Sequence, residues 1–369
     1  MSIARALCLS ACLAMATPAA AATATAGFDD GPYVSYGQDE LTARWICDGE
    51  AVKETYPATR WPVTVPARCG YPRPVQVRAP VGADDSLPVQ GVRTVVAVSD
   101  IHGQFDLLVR LLQANGVIDA DWNWALGDAH LMVSGDVFDR GARVTEAFWL
   151  LYTLQGQARA AGGGVHMMLG NHETMVLYDD LRYLNDRYWE SAKALGTSYP
   201  ALYGADTVIG NWLRGAPGLG FINDMVFLHG GISPQFQALG LAPEEVNARY
   251  RASLGLPRHV VRSDPRYVPL YDGKTSPIWY RGYFRPGELT QADVDAIAGR
   301  LGVRHMVVGH TSMNQVGGYF DGRVIAIDSS IKAGENGELL FVEDGVMSRG
   351  LLDGSRAPLQ RPASPDTSD

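Results

Sequence analysis

An α/β fold with a small β-rich N-terminal extension is the class this sequence predicts, and three observations carry it. Short apolar runs, Val95–Val98, Leu131–Val133, Met167–Leu169, Val226–Leu228 and Met306–Val308, recur through the body of the chain with the length of buried strands. Stretches of helical spacing, 106–114 and 145–161, separate the first three runs, which suggests sheet inside and helices outside. The segment 28–78 differs: it is rich in Pro, Tyr and Trp and alternates apolar with polar residues in the manner of exposed-faced strands.

Taken in order, residues 1–22 read as a signal peptide. Arg5 supplies the positive start, Ala6–Ala16 the apolar core, and the alanines after Pro18 the small residues of a cleavage site. Export, to a periplasm, is the expectation. Leu9-Ser10-Ala11-Cys12 has the look of a lipoprotein box, but the apolar stretch before it is very short and runs on past it, so lipid anchoring is the lesser reading. No other segment is apolar over the ~18 residues that a membrane span needs.

Residues 23–91 form the extension and its linker. Strands are expected at Leu41–Ile46 and Trp61–Val65, and the proline- and glycine-punctuated stretch 79–91 should connect to the next domain. Loss of Cys8 and Cys12 with the leader leaves Cys47 and Cys69, which in an oxidising compartment are expected to pair. Such a bridge contributes roughly 3 kcal/mol by restricting the unfolded chain. Two separate buried thiols are the alternative.

The catalytic domain is expected over 92–355. Its first helix, 106–114, carries Leu107, Leu108, Leu111 and Leu112 on one face and ends near Gly116. A second helix covers 145–161, a further amphipathic one lies near 291–301, and strands are expected at Val324–Asp328 and Leu339–Val342. The Pro- and Ser-rich tail 356–369 reads as disordered.

Five polar clusters follow the apolar runs: Asp100-Ile101-His102-Gly103, Gly135-Asp136-Val137-Phe138-Asp139-Arg140-Gly141, Gly170-Asn171-His172-Glu173, His229-Gly230-Gly231 and Gly309-His310-Thr311. Loops at strand ends are where function collects. Carboxylate oxygen and imidazole nitrogen suit Mn²⁺, Fe²⁺ or Zn²⁺, and no thiol lies near. Two such ions about 3.5–4 Å apart acidify water and can present it to a phosphorus centre.

This series resembles the metallophosphoesterase superfamily. Within it, the chain is similar to the phosphoprotein phosphatases, whose pattern is G-D-x-H-G, G-D-x-x-D-R-G, G-N-H-E, H-G-G and a late metal-binding His. Gly309-His310-Thr311 and Trp279-Tyr280-Arg281-Gly282 resemble the bacterial-type Shewanella-like phosphatases most. Ser99 stands in place of the first Gly. The resemblance implies a four-layer α/β/β/α sandwich and two divalent ions (Mn, Fe or Zn). One ion would be held by Asp100, His102 and Asp136, the other by Asp136, Asn171, His229 and His310. It further implies a metal-bridging hydroxide attacking phosphorus, His172 protonating the leaving oxygen, Asp139 orienting His172, and Arg140 clamping phosphate, with Arg281 as a second clamp.

Competing readings are specific. Asp139 and Arg140 could form a structural ion pair, and Arg281 could stack on Trp279 or Tyr280. His130, His166, His259 and His305 read as ordinary core or surface histidines, and Glu173 as an acid suited to a helix start. Tyr178, Tyr183, Tyr188, Trp189, Tyr199, Tyr203 and Trp212 read mostly as a local core, with a cap over the metal site as the alternative. A net charge of −9 without a basic run argues against nucleic acid as partner.

The expected function is a secreted phosphomonoesterase acting on a phosphorylated protein or small ester, with phosphotyrosine favoured over phosphoserine. A diadenosine tetraphosphatase-like nucleotide hydrolase is the alternative; those relatives lack the Asp of the Asp-Arg pair, present here as Asp139. A scaffold retained only for binding is a remoter one. Oligomeric state is not legible.

Overall fold

The computed structural model describes residues 27–80, 82 and 86–360. The signal peptide and Leu9–Cys12 therefore lie outside the described residues. The extension contains β1 (Asp30–Tyr36), β2 (Glu40–Cys47) and β3 (Glu50–Pro57) as an antiparallel meander, then the small ribbon β4 (Val63–Val65) and β5 (Val75–Val77). Along β2, Leu41, Ala43 and Trp45 point inward, which is the alternation visible in the sequence. Cys47 and Cys69 are bridged with Cα atoms 5.4 Å apart, so β2 is tied to the loop before β5.

The body then runs β6 (Thr94–Val98), α1 (Phe105–Ala114), β7 (His130–Val133), α2 (Val144–Ala160), β8 (Gly164–Met167), α3 (Asn171–Leu177), α4 (Asp186–Ala194), α5 (Val208–Gly215), β9 (Leu219–Ile222) and β10 (Met225–Leu228). Short helices α6 (Pro234–Gln237), α7 (Pro243–Ser253), α8 (Arg258–Val261) and α9 (Val268–Tyr271) lead to α10 (Gln291–Leu301). After them come β11 (His305–Val308), β12 (Gly317–Tyr319), β13 (Val324–Ala326), β14 (Leu339–Glu343), β15 (Val346–Gly350) and β16 (Arg356–Pro358).

Two sheets result, ordered β16-β15-β14-β6-β7-β8 and β12-β13-β11-β10-β9. Strands β6, β7 and β8 are mutually parallel, as are β10, β11 and β13. Side chains of both sheets build one shared core: Val95, Ala97, Met132, Phe227, Val307, Ile325 and Leu340. Their neighbours one residue away, Val96, Val98, Leu131, Val226, Met306 and Phe341, belong instead to the core formed with the helices. Each strand is thus apolar on both faces, which is why these runs read as continuous rather than alternating. This is the helix-sheet-sheet-helix layering that the resemblance implies. Burying a side chain of this kind stabilises by about 1.5–3 kcal/mol.

Two boundaries differ from expectation. The tail does not lose order at 356: Arg356–Pro358 pairs antiparallel with β15, and Gln360 bridges Gly317. The guanidinium of Arg356 lies 3.5 Å over the Phe341 ring and bonds Asn115, contacts that hold the strand on the sheet edge. Residues 361–369 lie outside the described residues. The stretch 79–91 is also more than a spacer, since Val89 pairs with Ile222 and Leu87 packs on the inter-sheet core.

The extension is anchored to the helices beside the strand ends. Trp149 Nε1 donates to Pro32 O at 2.8 Å, and buried Asp30 accepts from Tyr33 OH at 2.7 Å and from Ser191 Oγ on α4 at 2.5 Å. Helix α4 in turn touches the loop after β7: Asn185, its N-cap, donates Nδ2–H to Arg140 O at 2.8 Å, and Tyr188 OH accepts from Val144 N at 2.6 Å.

Candidate metal centre

Three parallel-strand ends of one sheet and two of the other deliver the five clusters to one place. β6 ends at Asp100 and His102, β7 at Asp136, β8 at Asn171 and His172, β10 at His229 and β11 at His310. All seven side chains are buried. The chain bends sharply there: Asp100, His102, Asp136, Asp139, Arg140 and His310 all have positive φ, between 47° and 67°. For non-glycine residues such backbone costs of order 1–3 kcal/mol each and persists only where the surroundings impose it. Gly170 lies where two of these loops touch, because a Cβ there would sit 2.2 Å from Asp136 Oδ1.

Asp136 is the shared member of two donor groups. His102 Nε2 lies 3.7 Å from Asp136 Oδ2, with Asp100 Oδ1 at 3.9 Å from the same nitrogen. On the other side His229 Nε2 is 3.1 Å from Asp136 Oδ2, 2.9 Å from Asn171 Oδ1 and 3.1 Å from His310 Nδ1. Both sets, His102 with Asp136 and His172, and Asp136 with His229 and His310, keep their ligand atoms within 4.8 Å of one another and can hold a metal ion.

The imidazole orientations are imposed from behind. His102 Nδ1 bonds Phe138 O and His229 Nδ1 bonds Ser134 O, both at 2.7 Å, so each ring turns its Nε2 toward the centre. With those nitrogens acting as donors outward, His102 Nε2 presents a lone pair inward, and His229 Nε2 does so once it gives up its proton. Around His229 Nε2 that leaves Asp136 Oδ2, Asn171 Oδ1 and His310 Nδ1 facing it at hydrogen-bond distance, and these acceptors fit a divalent cation. Among the described residues, His310 Nε2 and Asp139 Oδ1 are buried without a hydrogen-bond partner.

Charge states report the same demand. Burial works against protonating His229, yet the carboxylates of Asp136 and Asp100 outweigh it and raise its pKa to about 10. Burial drives His102 down to about 3, and burial with nearby Arg281 holds His310 well below its usual range. Burial opposes ionisation of Asp136, but His229 and His172 hold it well below the carboxylate range. Asp100 is raised, by burial and then by Asp328. Neutral His102 and His310 beside an ionised Asp136 are in the form that can bind a metal ion, whereas His229 would release its proton on binding one.

Beside these groups, His172 donates or accepts through Nδ1 with Asp139 Oδ2 at 2.6 Å, and its Nε2 lies 3.8 Å from Asp136 Oδ2. Asp139 is thus engaged with His172, which favours the orienting role over a structural pair with Arg140. Arg140 is exposed and lies over the ring of Tyr183. Arg281 Nη1 donates to His310 O at 2.6 Å, while Trp279 packs edge-on against the His310 ring. Arg281 therefore props the loop of His310.

Two functional contacts go beyond the sequence reading. Ser99 Oγ lies 2.5 Å from Asp100 Oδ2, and His310 N donates to the same oxygen at 2.9 Å, which leaves Oδ1 to face His102. The departure from glycine at this position thus orients the Asp100 carboxylate. Glu173 accepts from Gly170 N and Asp136 N through Oε2 at 2.8 and 2.9 Å, and from Val137 N and Phe138 N through Oε1 at 2.8 and 3.2 Å. It caps its own helix, as an acid three residues after Gly170 suggests, and it also cradles the loop that carries Asp136.

The family model for calcineurin-like phosphoesterases matches residues 93–325. The chain belongs to the calcineurin-like phosphoesterase family. A Shewanella crystal structure described as a cold-active protein-tyrosine phosphatase is 42% identical, with a TM-score of 0.85, covering 90% of this chain and 99% of that one. Shewanella-like protein phosphatase 2 of Arabidopsis thaliana is 25% identical over 65% of this chain and 72% of its own length. A symmetrical bis(5'-nucleosyl)-tetraphosphatase of Vibrio cholerae is 32% identical over 38% of this chain and 45% of its own. The resemblance to Shewanella-like phosphatases in the clusters is borne out, and this calcineurin-like phosphoesterase is a phosphatase-type hydrolase.

Proposed function

We propose that this protein is a dinuclear-metal phosphomonoesterase acting on phosphoproteins, with phosphotyrosine preferred over phosphoserine or phosphothreonine. The observation that carries the reading is His172, fixed by Asp139 at one ring nitrogen and turned by the other toward the point where the two donor groups share Asp136. Asp100, His102 and Asp136 would hold one divalent ion, and Asp136, Asn171, His229 and His310 the second. Bound there, Mn²⁺, Fe²⁺ or Zn²⁺ supplies Lewis acidity, lowering the pKa of water toward ~7 and drawing charge from the phosphoryl oxygens.

The chain's own groups do the rest. Arg140, exposed at the rim, binds phosphate oxygens through its planar fork of donors. His172 carries a proton on Nε2 and gives it to the departing oxygen as the oxygen of water bonds phosphorus and the ester P–O bond breaks, while Asp139 keeps Nδ1–H in place. A positioned acid of this kind contributes about 10²–10⁴ in rate. Arg281 acts on the site through His310 O, a positioning role in addition to any phosphate contact. The identity of 42% with a chain described as a tyrosine phosphatase supports the substrate preference.

Nucleotide hydrolysis is the second reading, favoured by the Vibrio cholerae relative. Against it stands Asp139 in its contact with His172. Export is proposed on the signal-like leader and is in keeping with the Cys47–Cys69 bridge; among the described residues no helix is long and apolar enough to cross a membrane.

The test is to strip the full chain with chelator, restore Mn²⁺, Zn²⁺ or Fe²⁺, and assay phosphotyrosine and phosphoserine peptides beside diadenosine tetraphosphate. His172→Asn should keep its metal and lose about 10²–10⁴ in kcat. Metal lost with the histidine, or nucleotide cleaved in preference to both peptides, would refute the assignment.

A further inference from the structure

Most aromatic residues between α3 and β9 are core: Tyr178, Tyr188, Tyr199, Tyr203 and Trp212 are all buried. Tyr183 departs from them, with 39% of its surface exposed although it borders the metal centre. Its ring centroid lies 5.1 Å from that of His172, at an angle of 49°. The guanidinium carbon of Arg140 sits 5.1 Å from the same ring. The ring is also held in place. Tyr183 O accepts Arg140 N at 3.0 Å, and Arg182, 5.6 Å from the ring, is pinned by two bonds to Asp180.

We propose that Tyr183 is the specificity-determining residue of this site, an aromatic shelf on which the aryl leaving group of a phosphotyrosyl substrate stacks. The inference rests on the reading of His172 as the acid that protonates the leaving oxygen. That oxygen must come within hydrogen-bond reach of His172 Nε2, so the carbon bearing it lies against the imidazole. The next ring outward from that imidazole is Tyr183. A phenoxide presents a flat π-face there, and aromatic rings gain from offset or tilted contact at centroid separations of 4.5–7 Å. A seryl phosphate carries a single methylene at the same point and offers Tyr183 no ring. The exposed part of the ring therefore discriminates by what is attached to the leaving oxygen, while Arg140 beside it addresses the phosphate common to both substrates.

The experiment compares Tyr183→Leu and Tyr183→Phe with wild type, all as the full Mn²⁺-loaded chain. The probes are a phosphotyrosine peptide and a phosphoserine peptide of otherwise identical sequence. The readout is the ratio of their kcat/KM values, alongside metal content per chain. Tyr183→Leu should lower the tyrosyl-to-seryl ratio roughly 3- to 10-fold, the size of one aromatic pair, and Tyr183→Phe should restore it. A ratio unmoved in Tyr183→Leu, with both rates falling together, makes Tyr183 only a prop for Arg140 and His172 and overturns the proposal. A wild-type enzyme that turns over neither peptide overturns the phosphatase reading itself, a distinct result.

Discussion

Replacing Glu173 by Gln changes one carboxylate oxygen into an NH₂ group and leaves the volume intact. Each of the two oxygens accepts two backbone N–H groups, from Gly170 and Asp136 on one side and Val137 and Phe138 on the other. Whichever side receives the NH₂ turns two buried donors toward a third donor, and the side chain is fully buried. Leaving a buried donor unsatisfied costs about 1–3 kcal/mol, so the pair amounts to about 2–6 kcal/mol. At about 2 °C per kcal/mol for a chain of this size, the thermal midpoint of chelator-treated Glu173→Gln should fall by about 4–12 °C. Because the same donors belong to the Asp136 loop, metal retained after dialysis should fall too. Differential scanning calorimetry and metal analysis on the same preparation read both. A midpoint within 1 °C or so of wild type, with metal retention unchanged, would refute the idea that Glu173 holds this loop.

Two other perturbations probe the supports around the centre. Ser99→Ala removes the hydroxyl beside Asp100 Oδ2; metal affinity, measured by competition with a chromogenic chelator, should weaken about tenfold, the lower end of what lost support behind a ligand costs, and unchanged affinity would make the hydroxyl incidental. Cys47→Ser with Cys69→Ser should lower stability to denaturant by roughly 3 kcal/mol while the activity of the folded fraction is retained, since the bridge lies in the extension; equal denaturation midpoints for bridged and unbridged protein would contradict this.

Much of the site was legible because its residues sit in short, rigid units. A buried strand followed at once by Asp, His or Asn declares both its burial and its chemistry, and five such units in order left little freedom in what they build. Helix α10 is equally plain from its amphipathic spacing, and the structure adds a cap from Thr290 that Asp293 returns. Contacts that depend on where distant loops meet were not legible. Glu173 reaches residues 35 to 37 positions away, and only its local capping pattern shows in the sequence. In the sequence Ser99 is only a residue standing in place of the family glycine; its bond to Asp100 Oδ2, the oxygen that His310 N also reaches from the second sheet, shows only in the structure. Composition misjudged the start of the tail: proline and serine content says nothing of Phe341, whose ring receives Arg356 and so extends the sheet by a strand. Tyr183 is one aromatic among seven in the sequence, and only the packed structure shows that its ring is the one set against His172.

The central claim is that Asp136 lies between two cations held by its neighbours. Anomalous diffraction at the Mn edge from crystals of the Mn²⁺-loaded protein measures this directly. Two peaks about 3.5–4 Å apart, one flanked by Asp100 and His102 and the other by His229 and His310, are the predicted result. A single peak, or two peaks that do not share Asp136, would contradict it.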